Sequence, residues 1–339
     1  MVALAFGVLS FVSAPYLLAT ADSNPLFSSD GTLGSMLASF GIDLQSAVAV
    51  ILLIPAALVL VRAVMYATER LRSVRITPTQ FPEAYRMVAE AAREHGLRRM
   101  PDAYVVAGQG VLNAYAAGHG HRRYVTVTSD MLELGGELRD PDALRFVIGH
   151  EVGHIAAGHV GYFRLVFANA FMSIPVLGAF FSRAQEYTAD DYGYAYCPEG
   201  AAGAMRVLSS GKYLNQATDF DEFADRATTE RGLFIWAANL TLDHPALTWR
   251  AAALRDRGAP GRIFLRPRFT PSGVGSLQDG SSRSAQWPDP DQALAYLDQH
   301  PPAVPSFPAP AVVGGAVPAI VSQQRTEALT GGDALEGRS

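Results

Sequence analysis

The chain contains one cysteine and one lysine among its 339 residues. A single cysteine, Cys197, excludes an intrachain disulfide and permits a reducing compartment. Its apolar neighbours favour a small, buried side chain. Because Lys212 is the only lysine, the positive charge comes almost wholly from arginine. With a net charge of −5 and no dense basic stretch, the sequence indicates no nucleic-acid partner. Hydrophobic residues make up 49% of the chain, which allows both a core and membrane segments.

The first apolar stretch, Val2–Ala19, carries no charge and is about long enough to cross a bilayer. A secretory signal peptide is the alternative, with an A-x-A-like cleavage site at Ala19-Thr20-Ala21. The positively charged region that opens such a peptide is missing, however. We therefore expect a retained transmembrane helix at about residues 2–20. The Gly/Ser-rich, acidic stretch Asp22–Asp43 is expected to be a linker.

A second apolar stretch, Ala47–Ala67, predicts another transmembrane helix at residues 47–67. Arg62, near its end, is expected to extend its side chain to the lipid headgroups. Three further arginines follow, at Arg70, Arg72 and Arg75. This excess of positive charge places their side of the membrane in the cytoplasm. Residues 1–75 are thus predicted to be an anchor of two helices in the cell membrane. The domain that follows the anchor is expected to lie in the cytoplasm.

The patterns downstream predict mostly helices with a small sheet. Helical periodicity covers Pro82–His95 and stops at Gly96, a residue typical of helix C-termini. Three strand-like runs follow, at Ala103–Ala107, Asn113–Gly118 and Tyr124–Thr128. Further helices are predicted at Pro198–Leu214, Gly232–Leu242, Pro245–Asp256 and Asp289–Gln299. Phe234 and Trp236 are expected to lie in the core.

The chemistry is concentrated in His150-Glu151-Val152-Gly153-His154. Two histidines four residues apart on a helix lie about 40° apart around its axis, so both imidazoles can reach one cation. Glu151 lies over the same point without having to be a ligand. This spacing is typical of zinc hydrolases, in which the carboxylate acts as general base. The alternative is a core helix without a metal site. That helix would bury three polar side chains, which costs free energy, and no function would explain it.

This helix is expected to begin at Asp140 as N-cap, with Pro141 in the first helical position. Charged residues surround this start: Arg139, Asp140, Asp142 and Arg145. A helix that begins among charges begins in water. This argues against an intramembrane protease, in which the same motif would lie inside a membrane span.

A catalytic zinc site needs a third protein ligand. His159 lies nine residues after His150, and nine steps of about 100° place it half a turn away from the metal side if the helix continues. His119 and His121 are also candidates, but they are expected in an exposed turn between two strands. These three histidines are therefore not favoured as ligands.

Glu186 and Asp190 are another pair at i, i+4. Glu186 is a candidate third ligand, and Asp190 is a candidate hydrogen-bond partner for the back of a ligand histidine. The alternative is a solvated acidic helix face, since Asp191 follows directly. The residues alone leave both interpretations open.

Four ordered motifs resemble peptidase family M48. They are His150–His154, Ser182-Arg183-x-x-Glu186-x-x-Ala189-Asp190, the strand Asn113–Gly118 with Val125–Thr128, and Asp243-His244-Pro245 with Arg250. The resemblance covers about Ile76–Asp256. It implies a gluzincin-like α+β metalloprotease domain, mostly helical with a small sheet, which we expect at residues 76–270.

The resemblance also implies roles for individual residues. They are the ligands His150, His154 and Glu186 for one Zn²⁺, the general base Glu151, the histidine partner Asp190, the substrate-binding strand residues Asn113, Ala114 and Tyr115, and an oxyanion stabiliser at His244 or Arg250.

Two further segments are apolar or of low complexity. Gly161–Phe181 is apolar but interrupted by Arg164, Asn169 and Pro175, which predicts either a helical hairpin at the bilayer or a buried core segment. Residues 271–339 are rich in Pro, Gly, Ser and Ala and are predicted to be a disordered tail.

The sequence thus predicts a membrane-anchored zinc metalloendopeptidase that uses a zinc-bound water, with Glu151 as base. Its expected substrates are unfolded or membrane proteins, in membrane-protein quality control. Two alternatives remain. One is a zinc-stabilised, membrane-associated chaperone or scaffold without turnover, and the other is CAAX-type processing of prenylated peptides.

Overall fold

The structure is a computed structural model. It describes residues 44–119, 122–135, 140–161, 175–242, 244–259, 261–270 and 290–299, together with Ser35 and Ser39. The predicted span at residues 2–20, the linker after it and His121 lie outside the described residues. So does the predicted tail at residues 271–339, apart from one short helix at residues 290–299.

The described part is mostly helical with one small sheet. The helices are α1 (Leu44–Arg72), α2 (Pro82–Glu94), α3 (Ser129–Leu132), α4 (Pro141–Ala156), α5 (Pro175–Tyr196), α6 (Gly200–Leu214), α7 (Phe220–Thr229), α8 (Leu233–Thr241), α9 (Leu247–Arg255) and α10 (Pro290–Gln299). The strands are β1 (Val74–Arg75), β2 (Asp102–Val106), β3 (Ala114–His119) and β4 (Arg122–Thr128). The prediction of an α+β fold with a small sheet is confirmed.

The sheet has the order β1-β2-β4-β3. β2 and β4 are parallel, whereas β1 pairs with β2 and β3 pairs with β4 in antiparallel fashion. β3 therefore lies at an edge, and its register runs from Ala114 opposite Val127 to His119 opposite Arg122. An edge strand presents unpaired backbone groups on one side.

The two faces of the sheet have different partners because side chains alternate along a strand. Ala103, Val105, Val125 and Val127 belong to the main core. That core also contains the apolar residues of α2 and α4. Tyr104 and Tyr124 point the other way and form a separate cluster with Tyr66 of α1.

Helix α4 is the central element of the core. The Asp140 side chain caps its first turn by accepting a hydrogen bond of 2.9 Å from the Ala143 N–H, and Pro141 occupies the first helical position, as predicted. Nearly every residue from Ala143 to Ile155 is buried. A helix that is buried all round must be surrounded by other elements, and α4 packs against α2, α5, α6 and β3.

The C-terminal part of α1 is docked on the sheet. The Arg62 guanidinium donates to the carbonyl oxygen of Gly118 in β3 and, at 3.0 Å, to that of Val160 after α4. The Tyr66 hydroxyl donates to the Asp102 carboxylate at 2.7 Å. The prediction that Arg62 reaches lipid headgroups is wrong, because its Nε and Nη2 groups donate to backbone carbonyls of the protein.

Among the described residues, no helix combines the length and the apolar character that a bilayer crossing requires. The predicted span at residues 47–67 falls within α1. Of the segment Gly161–Phe181, residues 175–181 belong to α5 and residues 162–174 lie outside the described part.

One expectation about the core is also wrong. Phe234 is 85% exposed and Trp236 is 46% exposed, although both were predicted to be buried. Their helix, α8, is apolar all round, and a sequence of that kind is expected in a core. The expectation for Cys197 is confirmed, since it is buried.

Helices α4 and α5 approach each other through glycine. A Cβ atom built on Gly153 would lie 2.4 Å from Cβ of Tyr192, and one on Gly149 would lie 2.8 Å from Cδ1 of Tyr196. Side-chain carbons do not come this close, so both positions must lack a side chain. The glycines within the histidine motif therefore set the distance between α4 and α5.

We expect Gly153→Ala to push α5 away from α4. The added methyl group overpacks the contact with Tyr192, which costs roughly 1–3 kcal/mol of the free energy of unfolding. Denaturant unfolding of the full chain measures this cost. Ala195→Ser, which adds one heavy atom on the exposed side of α5, is the control and should leave stability within error. Equal stability of the two variants would contradict the close-packing argument.

Candidate metal centre and active site

Three predicted ligands from α4 and α5 meet at one point. Nε2 of His150 lies 3.2 Å from Nε2 of His154 and 3.6 Å from Oε2 of Glu186. Nε2 of His154 lies 3.5 Å from Oε1 of Glu186. All three ligand atoms lie within 4.8 Å of one another.

These separations fit a zinc ion. Two ligands about 2.05 Å from a tetrahedral metal are about 3.3–3.4 Å apart, close to the distances found here. Two imidazole nitrogens and a carboxylate oxygen are also a donor set that zinc prefers. Three protein ligands leave one tetrahedral position for a water or a substrate. Among the described residues, His150, His154 and Glu186 form a cluster of metal-ligating side chains that could hold a metal ion.

Asp190 lies behind His150. Its Oδ1 is 2.9 Å from Nδ1 of His150, and Asp190 is almost fully buried. If Nδ1–H donates to this carboxylate, Nε2 carries the lone pair and faces the other two ligands. The hydrogen bond thus selects the tautomer and the ring orientation that a metal ligand needs.

Arg250 contacts both buried carboxylates. Its guanidinium forms a bidentate pair with Asp190 at 2.6 and 2.8 Å and approaches Glu186 at 3.3 Å. Burial alone would raise the pKa of Asp190, but the charge and hydrogen bonds of Arg250 outweigh burial and hold it below its ordinary value. Both carboxylates therefore stay ionised. Arg250 is committed to this network, which favours a positioning role over direct contact with a substrate.

The pKa of Glu186 is also held well below its ordinary range. Burial acts in the opposite direction, and the neighbouring His154, His150 and Arg250 outweigh it. The candidate third ligand is therefore an anion at neutral pH, as a metal requires. The predicted alternative of a solvated acidic face does not describe Glu186 or Asp190, because both are buried.

His159 is not part of the three-residue group, but it contacts it. Helix α4 ends at Ala156, and Gly158 has a φ of +77°. The His159 N–H then bonds the His154 carbonyl at 2.9 Å and the Gly158 N–H bonds that of Ile155 at 3.1 Å, which is a Schellman ending. The helix does not continue, so the predicted placement of His159 half a turn away is wrong.

This turn brings the His159 ring back to His154. The two Nδ1 atoms are 2.7 Å apart, so one must donate and the other accept. A metal-binding His154 needs its lone pair on Nε2, which makes its Nδ1–H the donor and His159 the acceptor. His159 thus accepts a hydrogen bond from Nδ1 of His154, in the same way that Asp190 accepts one from Nδ1 of His150. Gly158, a typical C-terminal glycine, was the signal in the sequence that could have revealed it.

The candidate base Glu151 borders an open cleft. Its side chain is largely buried, and it makes no hydrogen bond or ion pair with another described residue. The cleft has a volume of about 490 Å³ and is also lined by Asn113, Ala114 and Tyr115 of the β3 edge. The structure thus brings the predicted substrate-binding strand and the ligand group to one cleft. The Tyr115 hydroxyl itself points to α1, where it donates to Glu69 at 2.7 Å.

His244 also lines this cleft, next to the ligand group. It is exposed, and its Nε2 is 3.5 Å from Oε1 of Glu186. The segment that leads to it is held by Arg183, which is fully buried and donates to the carbonyl oxygens of Leu242 at 2.9 Å and Ile263 at 2.5 Å. No pattern in the sequence indicated this role for Arg183, because its acceptors are backbone carbonyls 59 and 80 residues away.

Comparison with known proteins assigns this site to a class. The sequence profile of peptidase family M48 matches residues 78–164 and 161–258, together more than half of the chain. The chain therefore belongs to peptidase family M48, whose members are zinc-dependent proteases. The profile includes every residue of the site described above.

Two curated relatives match the chain, and both are named Protease HtpX. Protease HtpX of Pseudomonas syringae pv. syringae (strain B728a) is 27% identical over 216 residues, covering 50% of this chain and 70% of the relative. Protease HtpX of Stutzerimonas stutzeri (strain A1501) is 26% identical over 216 residues, covering 50% of this chain and 71% of the relative.

Glu186→Ala is expected to remove the third ligand and with it most of the bound zinc. Elemental analysis of the purified full chain measures the stoichiometry. Asp191→Ala, an exposed carboxylate on the same helix, is the matched control and should retain the wild-type zinc content. Retention of zinc by both variants would exclude Glu186 as a ligand.

For His159, we expect the alanine variant to bind zinc roughly 10–100-fold more weakly, the usual effect of losing a hydrogen bond to a ligand histidine. Competition with a chelating dye gives the affinity. His159→Asn supplies an amide oxygen as acceptor and should recover most of it. If His159→Ala binds zinc as tightly as the wild type, the contact with His154 has no orienting effect.

Proposed function

We propose that this chain is a membrane-anchored zinc metalloendopeptidase that hydrolyses peptide bonds in unfolded or membrane proteins. The observation that carries the proposal is the ligand group His150, His154 and Glu186, with separations of 3.2–3.6 Å. Beside it lies the Glu151 carboxylate, which pairs with no other residue in the described part of the chain. Membership of peptidase family M48 supports the reaction class.

The substrate is proposed to bind along β3. This strand lies at the edge of the sheet and borders the same cleft as the ligand group. A polypeptide that adds to the edge as a further strand satisfies its own backbone groups and those of β3 together. Backbone pairing of this kind recognises extended chain rather than particular side chains, which suits unfolded substrates.

In the proposed mechanism, His150, His154 and Glu186 hold one Zn²⁺. When bound, the ion would lower the pKa of a water molecule and polarise the scissile carbonyl. Glu151 accepts the proton of the attacking water and delivers it to the leaving amine. His244, exposed in the cleft beside Glu186, is the candidate donor to the developing oxyanion. Arg250 keeps Asp190 and Glu186 in place.

The membrane part of the proposal is supported by the sequence. Two apolar stretches, at about residues 2–20 and 47–67, are proposed to anchor the chain in the cell membrane with the catalytic domain in the cytoplasm; the first is uncharged and the second contains one charged residue, Arg62. The contacts of Arg62 and Tyr66 with the sheet would hold the cleft at a fixed position relative to the anchor. A fixed cleft near the bilayer is consistent with a role in membrane-protein quality control.

Glu151→Gln is the decisive variant. It is expected to retain zinc, because Glu151 is not a ligand, and to cleave casein roughly 10²–10⁴-fold more slowly, because the general base is lost. Glu83→Gln makes the same change of charge on the exposed face of α2 and serves as the control.

Cleavage by Glu151→Gln at the wild-type rate would contradict the assigned base. A wild-type chain that binds zinc but cleaves neither casein nor a membrane protein would instead support the scaffold without turnover. Cleavage restricted to prenylated peptides would support CAAX-type processing.

A further inference from the structure

A second surface of the molecule has features of a binding site. Helix α8 exposes a run of large apolar side chains, namely Leu233, Phe234, Ile235 and Trp236. Apolar side chains of neighbouring elements are exposed as well, at Phe180, Phe181 and Leu265. Helix α8 packs against α5, and the rings of Phe180 and Phe264 are 6.2 Å apart. Four consecutive large apolar side chains that are all exposed are typical of an interaction site.

Arginines adjoin this patch. A cleft of about 700 Å³ is lined by Ile235 and Trp236 of α8 and by five arginines, Arg226, Arg231, Arg262, Arg266 and Arg268. One carboxylate faces them, Glu230, and it pairs with Arg226 at 3.3 Å. Within the described part of the chain, Arg231, Arg262 and Arg268 form no ion pair. The cleft therefore carries positive charge without matching negative charge.

A buried amide lies at the floor of the cleft. Asn239 is only 5% exposed, yet neither its amide oxygen nor its amide nitrogen has a hydrogen-bond partner among the described residues. Buried polar groups are nearly always satisfied, because leaving them without partners is costly. This amide borders the cleft, and the five arginines of the cleft point to an anionic ligand.

We propose that this cleft binds the headgroup of an anionic phospholipid and that α8 lies in the surface of the bilayer. Phosphate provides acceptors for the arginines of the cleft. The aromatic and aliphatic side chains of α8 would enter the headgroup–acyl boundary, while the arginines of the cleft stay at the charged headgroups. A Trp at this depth matches the known preference of tryptophan for the membrane interface.

The charge distribution favours a bilayer over a protein partner. A protein that covered the patch would need both an apolar surface and several carboxylates placed opposite the arginines. A bilayer that contains anionic lipid offers both at once without a defined shape. This surface is separate from the predicted N-terminal anchor, and the inference does not depend on peptidase activity.

The test uses the full chain in vesicles of phosphatidylcholine, with and without phosphatidylglycerol. The only cysteine, Cys197, is buried and is replaced by Ala, and an environment-sensitive fluorophore is attached at Phe234→Cys. Lipids that carry a quencher in the acyl chain report contact with the bilayer. Tyr213→Cys is the matched control, because Tyr213 is 76% exposed and does not line the cleft.

We expect quenching at Phe234→Cys in the anionic vesicles and none at Tyr213→Cys. Each arginine near an anionic surface strengthens attachment roughly fivefold. Replacement of Arg231, Arg262 and Arg268 by Glu in the labelled chain should therefore lower the ratio of inserted to detached α8 by on the order of 100-fold or more.

Three results would overturn the proposal. Quenching no greater than that of the Tyr213→Cys control would exclude contact with the bilayer. Equal quenching in neutral and anionic vesicles would exclude recognition of an anionic headgroup. A shielded fluorophore that lipid does not quench would show that polypeptide covers α8 instead, from this chain or from another.

Discussion

The close contact between α4 and α5 is the constraint on which the site depends. Gly149 and Gly153 remove the side chains that would otherwise separate the helices at Tyr196 and Tyr192. Only at this distance do the two histidines of α4 and Glu186 of α5 come within 3.2–3.6 Å of one another. Two rigid helices in full contact also fix the ligand positions before a metal arrives. Pre-organised ligands of this kind lose little entropy on binding.

Such a site must bury charge, and the surrounding residues make this tolerable. Desolvation of Glu186 and Asp190 is opposed by Arg250, which bonds Asp190 through two nitrogens and lies 3.3 Å from Glu186. Removing one member would leave an uncompensated buried charge, which is why such networks tolerate little change. The histidines are held in the same way, each through its Nδ1: His150 by Asp190 and His154 by His159.

Apolar stretches were the least reliable signals in the sequence. Hydrophobicity alone does not distinguish lipid, core and exposed interaction surface, because the same side chains suit all three. Arg62 was expected at the headgroups but bonds the backbone of the catalytic domain. Phe234 and Trp236 were expected in the core but lie on the surface beside a cluster of arginines. For Arg62 the deciding partners, Gly118 and Val160, are 56 and 98 residues away in the sequence.

The sequence by itself determined the local features: the helix of the histidine motif with its Asp140 cap, the approximate strands, and two imidazoles on one helix face. These follow from the helical period and from contacts a few residues apart. Glu186 remained ambiguous from its residues alone and was singled out by the family resemblance. Only the tertiary structure decided how Asp190, Arg250 and Arg183 act, because their partners are 40 to 100 residues away. The contact of His159 with His154 is intermediate: its cause, the turn at Gly158, is local, but the ring–ring contact follows only from the three-dimensional path of that turn.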